Sequence, residues 1–191
     1  MEIKIVEESP DILADYEKIS IAFRVETVFR VELLSDGLSG VKLTEERIEK
    51  PFIKDYDAYE EDRPSRWAER FDLSNWGVFS AFDGEKRIGA AAVAWKTPQV
   101  FMLEEQGDLA CLWDLRVALE YRGEGIGNQL FSAALNWAKI RNCRLFKVET
   151  QNINVPACRF YASQGCHLGA FNLHAYPESL QEIQLIWYRN L

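Results

Sequence analysis

The run Arg122-Gly123-Glu124-Gly125-Ile126-Gly127-Asn128 constrains this chain most, because glycines at alternate positions stand between an apolar segment and an amphipathic one. Upstream, Ala110 to Val117 reads as a mostly buried strand. Downstream, Leu130, Ala133, Ala134, Trp137, Ala138 and Ile140 fall on one helical face. A glycine-rich turn that opens a helix exposes backbone N–H groups with no intrahelical partner, and the helix dipole adds partial positive charge at the same place. Such a turn suits a pyrophosphate. Two familiar phosphate loops do not fit. A P-loop needs Lys and then Ser or Thr after its last glycine, where this chain has Asn128 and Gln129. The dinucleotide fingerprint needs GxGxxG, but the spacing here is GxGxG. Glu149 does lie where a ribose-binding acid would, yet the remaining tail is too short for two mononucleotide halves.

Beyond this helix, Leu145 to Thr150 reads as a short strand, Gln151 to Asn154 as a loop, and Val155 to about Gln164 as a second helix. Asn154 suits its N-cap, Pro156 its first turn and Gly165 its C-terminal cap. Two motifs thus follow one another. RxxGxG is met by Arg122, Gly125 and Gly127; NxxAxxxYxxxGF is met by Asn154, Ala157, Tyr161 and Gly165, with Cys166 where phenylalanine is usual. By these motifs the chain resembles the GCN5-related N-acetyltransferases, which transfer acetyl from acetyl-CoA to an amine, over roughly Trp76 to Tyr188. Glu26-Thr27-Val28-Phe29-Arg30-Val31, together with Glu149-Thr150 and Asn154 to Ala157, is similar more narrowly to the streptothricin acetyltransferases.

The resemblance implies an α/β (α+β) fold: a mixed, mostly antiparallel sheet splayed between its fourth and fifth strands, with helices on both faces. Combined with the element reading, it gives the order β-α-β-β-β-α-β-α-β. It implies acetyl-CoA as co-substrate, held by Arg122, Gly123, Gly125, Ile126, Gly127 and Asn128. In the family the strand before the loop bulges, so the N–H of Leu115 would face the acetyl oxygen and Val117 would bond the pantetheine amide. Asn154 caps its helix, contacts the coenzyme, or does both.

Tyr161 occupies the position whose phenol protonates the departing thiolate in the family. A phenol near pKa ~10 and a thiol near ~8.5 are close enough for that transfer. The acceptor ammonium, with a reference pKa of about 10.4, must lose a proton before attack. Asp114 and Glu149, near the ends of the family's fourth and fifth strands, are the candidates to bind and deprotonate it, with Asp114 ranked ahead. A one-residue change of register would turn either to the other face. Phe29, Trp76 and Trp113 wall an acceptor pocket or belong to the core.

Elsewhere, Ile3 to Val6 reads as a strand, Pro10 to about Ser20 as a short helix, and Thr27 to Leu34 with Val41 to Ile48 as a hairpin. Gly77 to Phe82 and Arg87 to Trp95 form a second hairpin about Asp83-Gly84, and Glu182 to Tyr188 a closing strand. The 191 residues read as a single domain with a family-specific insertion at about 36–75, where the pattern breaks down around the acidic run Asp55 to Asp62. With 48% hydrophobic residues, six Trp and eleven Phe, a packed core is ensured.

A net charge of −8 argues against nucleic acid and is compatible with a small cationic amine as partner, though it serves solubility first. No run approaches the roughly 20 apolar residues of a membrane helix and no signal peptide pattern is present, so a cytoplasmic protein with no membrane partner is expected. Cys111, Cys143, Cys158 and Cys166 lack CxxC spacing and read as reduced, buried thiols; with His167 and His174 they offer no metal-ligand pattern, and no metal is expected. Monomer and homodimer both stay open. The leading expectation is acetylation of the β-lysine amine of a streptothricin-type antibiotic, conferring resistance, by direct transfer in a ternary complex. The alternatives are another small amine, a polyamine or a protein N-terminus as acceptor, and a sensor that binds acyl-CoA without turnover.

Overall fold

The computed structural model describes residues 2–191. Its secondary structure runs β1 (Ile3–Glu8), α1 (Leu13–Tyr16), β2 (Phe23–Leu33), β3 (Val41–Lys54), α2 (Trp67–Arg70), β4 (Trp76–Asp83), β5 (Lys86–Trp95), β6 (Leu109–Val117), α3 (Ile126–Ile140), β7 (Leu145–Gln151), α4 (Val155–Ser163), β8 (His167–Asn172) and β9 (Gln184–Asn190). Seven strands form one sheet in the order β1-β4-β5-β6-β7-β9-β8, and β2 pairs with β3 as a separate ribbon. The pairs β1-β4, β4-β5, β5-β6 and β8-β9 are antiparallel. Contacts divide the described residues into two compact units: residues 2–22, 55–147 and 190–191, and residues 23–54 and 148–189. The strand β7 contributes its first three residues to the first unit and the rest to the second.

In the first unit β4 and β5 are buried almost throughout, so they read as continuous apolar runs. Small residues let α3 lie close to them. A Cβ on Gly77 would come within 2.6 Å of the Trp137 ring, and one on Gly89 within 3.0 Å of Leu130 and 3.1 Å of Ile126. Leu130, Phe131, Ala134 and Ala138 of α3 are fully buried. Phe131 meets Phe146 edge to face at 5.7 Å, a geometry worth about 0.5–1.5 kcal/mol beyond area burial. A second apolar cluster gathers Leu13, Tyr16, Trp67, Phe71, Trp76, Ala90, Ala92 and Ala94.

The second unit holds the β2–β3 ribbon, the end of β7, α4, β8 and β9. Its helix α4 starts as the sequence reading expects: Asn154 Oδ1 accepts from the Ala157 N–H at 3.2 Å, Pro156 stands in the first turn, and Gly165 has φ +78° just past the end. The four cysteines are all free and buried.

Four sequence expectations need correction. The helix over Pro10 to Ser20 is only a 3-10 turn at Pro10–Ile12 and the single turn α1, because Glu17 already ends the helix and the Lys18 and Ile19 N–H groups bond only three residues back, to the carbonyls of Asp15 and Tyr16. The ribbon strand β3 continues to Lys54 through Pro51, which falls within a register shift where the missing N–H costs nothing. The closing strand starts at Gln184 and runs to Asn190. The order β-α-β-β-β-α-β-α-β omits the β2–β3 ribbon and β8. That edge strand is largely exposed and lacks an apolar alternation, and the Tyr188 ring lies over Gly169, where a Cβ would come within 2.4 Å.

Candidate active site

The glycine loop forms as its sequence requires. Gly123 has φ +86° and Gly125 φ +82°, left-handed values that a side chain resists, and Gly125 is the N-cap of α3. No side chain caps this helix. Its first-turn N–H groups therefore suit the diphosphate of acetyl-CoA, and Gly127 and Asn128 lie in that turn. Arg122 behaves differently from its neighbours. Its Nε donates to the Val117 carbonyl at 2.9 Å and its Nη2 to the carbonyls of Ser20 at 3.3 Å and Ala22 at 3.0 Å, so the guanidinium fastens the loop to the end of β6.

The strand β6 is bulged. Ala92 pairs with Asp114 but Val93 with Leu112, which leaves Trp113 as the extra residue. Leu115 and Val117 lie beyond the bulge, partly buried and buried respectively.

Asp114 points into a buried polar network. Arg116, whose side chain is 1% exposed, donates from Nε to Asp114 Oδ1 at 2.9 Å and from Nη2 to Oδ2 at 2.7 Å. The Tyr16 hydroxyl also donates to Oδ1 at 2.7 Å. Arg116 further bonds the Ile19 carbonyl at 3.0 Å and both oxygens of Asp57, at 2.7 and 3.3 Å. Burial, reinforced by the Asp114 charge, pushes the Tyr16 phenol well above its ordinary value. Burial acts to lower Arg116, but the charge and hydrogen bonds of Asp114 outweigh it and hold the guanidinium above its ordinary value. Burial raises the Asp57 carboxyl against the pull of Arg116. Sequence did not reveal this network: Tyr16 lies 98 residues from Asp114 and Asp57 lies 59 from Arg116, although Arg116 itself stands two residues from Asp114.

Trp76 and Trp113 come together, 5.7 Å between ring centroids, in an aromatic cluster with Trp67 and Phe71. Trp76 is buried and its Nε1 donates to Thr97 Oγ1 at 3.1 Å; Trp113 is partly buried. Phe29, the third expected wall residue, belongs to β2 in the second unit.

That unit also carries Tyr161 and Glu149. Tyr161 is buried on α4, with its ring 5.2 Å from that of Phe160. Glu149 is partly buried on β7 and is held by neutral donors: the Tyr176 hydroxyl, and Gln184 Nε2 at 2.8 Å. Gln151, on the same face of β7, donates to the Tyr176 oxygen at 2.8 Å. Thr150 accepts from the Trp187 indole at 2.9 Å and contacts Cys158 of α4 at 3.3 Å, which ties that helix to the strands beside it. Sequence reasoning missed Asn152. It is buried and makes four hydrogen bonds to Phe29 and Ile183, a role that only the fold reveals.

A capless glycine loop after a bulged strand, with a capped helix bearing a buried tyrosine further along, is the arrangement that the resemblance to acyl-CoA-dependent acyltransferases implies. The acetyltransferase (GNAT) family model matches residues 42–166, and the chain belongs to that family of N-acetyltransferases. The match begins in β3, well before the Trp76 start expected from the motifs. Among curated relatives, streptothricin acetyltransferase A of Bacillus subtilis (strain 168) is 29% identical over 147 residues, 76% of this chain and 77% of that protein. A streptothricin acetyltransferase of Escherichia coli is 27% identical over 182 residues, covering 94% and 91%. A candidate streptothricin acetyltransferase of Bacillus anthracis str. Ames, solved in complex with acetyl coenzyme A, superposes with TM-score 0.75 at 25% identity over 100% of this chain and 98% of that one. The crystal structure of nourseothricin acetyltransferase has the same fold, with TM-score 0.75 at 22% identity, over 100% and 99% of the two chains.

Proposed function

We propose that this enzyme acetylates a primary amine of a streptothricin-type antibiotic, on its β-lysine moiety, by direct transfer from acetyl-CoA in a ternary complex, and thereby confers resistance. The observation that carries this reading is similarity to streptothricin acetyltransferases along nearly the whole chain, the β2–β3 ribbon included, rather than over the coenzyme motifs alone. The net charge of −8 favours a cationic acceptor.

Between the two candidate carboxylates, the choice falls on Glu149. Asp114 already has Arg116 as its cation, whereas the partners that hold Glu149 are neutral. A partly buried carboxylate among neutral donors gains most from an incoming ammonium. Glu149 binds the ammonium and takes its proton; the freed amine attacks the thioester carbonyl, forming the C–N bond and a tetrahedral oxyanion, whose collapse breaks the C–S bond. The N–H of Leu115 stabilises the oxyanion. Tyr161 gives its proton to the departing thiolate, and the amine's second proton leaves with solvent. The N–H groups of Gly125, Ile126, Gly127 and Asn128 hold the diphosphate, and Val117 the pantetheine arm. Asp114 keeps β6 in register beside the bulge.

Purified protein is assayed with acetyl-CoA and streptothricin, polyamines and peptides with free N-termini, following thiol release. Streptothricin is expected to give the highest kcat/KM; preference for another amine by orders of magnitude defeats the antibiotic reading. Tyr161→Phe is expected to keep coenzyme affinity while kcat falls about 10- to 100-fold. An unchanged kcat removes Tyr161 from acid catalysis, and no turnover of any amine by the wild-type enzyme favours a sensor.

A further inference from the structure

Asn152 lies in the turn between β7 and α4, three residues after Glu149 and two before the helix cap Asn154. Its backbone carbonyl accepts from the Phe29 N–H at 2.9 Å, and its Nδ2 donates to the Phe29 carbonyl at 3.0 Å. Its backbone N–H donates to the Ile183 carbonyl at 2.9 Å, and its Oδ1 accepts from the Ile183 N–H at 2.8 Å. One residue thus bonds twice to β2 and twice to the segment that enters β9. The side-chain amide acts as a second peptide group, which lets a turn residue pair with strands on both sides. The residue after Ile183 is Gln184, whose side chain donates to Glu149.

A second contact joins the other strand of the ribbon to the same segment. Lys54, at the end of β3, pairs with Glu182 at 2.5 Å, with side chains 21% and 7% exposed. The ribbon is therefore fastened to the entry of β9 on both of its strands.

We propose that Asn152 is a positioning residue that fixes the separation between Phe29, the acceptor wall, and the Glu149 carboxylate with its Gln184 donor. The role rests on the reading of Phe29 and Glu149 as the acceptor side of the site. Alanine leaves the Phe29 carbonyl and the Ile183 N–H without their partners in a partly buried place, and aspartate sets a carboxylate oxygen against the Phe29 carbonyl.

The test compares wild type with Asn152→Ala and Asn152→Asp by steady-state kinetics in both substrates and by backbone deuterium uptake. The expected result is a rise of about tenfold or more in KM for the amine, with KM for acetyl-CoA held within about twofold. Uptake is expected to quicken over residues 23–33 and to stay at the wild-type level over 126–140. Unchanged uptake over 23–33, or an equal change in both KM values, overturns the proposal. If Asn152→Ala does not fold, Asn152→Ser is read by the same two measurements. If wild type acetylates no amine, the functional reading has failed separately, and uptake over 23–33 still decides whether Asn152 anchors the ribbon.

Discussion

Asp114 and Glu149 are both acidic residues on neighbouring strands of one sheet, yet their surroundings differ in kind. Asp114 sits in the first unit with a guanidinium, a phenol and a second carboxylate, so its charge is answered within the fold. Glu149 sits in the second unit among a phenol and two amides. The lesson concerns what a buried charge is for. A carboxylate matched by Arg serves the architecture, while one held by neutral donors is suited to receive a cation from outside.

The contrast breaks most readily at Arg116. Arg116→Leu leaves Asp114 and Asp57 without their shared cation, and removing one partner of such a buried set is expected to cost about 3–5 kcal/mol, read as a lower urea midpoint. A loss below about 1 kcal/mol places the network among contacts that merely decorate the surface. At Glu149 the expected effect is catalytic. Glu149→Gln should lower kcat/KM for the amine about 100-fold or more and leave coenzyme affinity unchanged. A larger loss from Asp114→Asn at equal stability would reverse the assignment of the two carboxylates.

The smallest effect is at Tyr16. Its folded-state pKa lies well above the ordinary 10.0, so the unfolded chain releases the phenol proton first as pH rises. The buried phenol's contribution is complete below pH 10.0 and is lost progressively from there up through the raised value. Tyr16→Phe should flatten this alkaline decline in a stability-versus-pH series, and an unaltered slope would assign the decline to another group.

Local chemistry made much of this molecule legible in advance. Asn154, Pro156 and Gly165 mark the ends of α4 because capping depends on residues within a turn of one another, and Gly123 and Gly125 mark the turn into α3 for the same reason. The second hairpin follows from Asp83-Gly84. What sequence could not supply is the set of partners brought together over long separations. Asp114 and Glu149 look alike in a string of letters; Arg116 reaching Asp57, and Tyr176 reaching Glu149, distinguish them only once the chain has folded. β8 escaped because its residues are mostly exposed, so no period marked it. Asn152 escaped because asparagine in a turn ordinarily serves the turn alone.

The burial of all four cysteines has a chemical consequence for an enzyme that liberates a free thiol at each catalytic cycle. Burial pushes Cys158 and Cys166 up to about 11, so at neutral pH only about one in 10⁴ of either is ionised. Scarce sulfur anions behind packed side chains are poor prey for oxidants and mixed-disulfide exchange. The disulfide formed when spent coenzyme is oxidised would thus find few thiolates on Cys158 and Cys166 to exchange with.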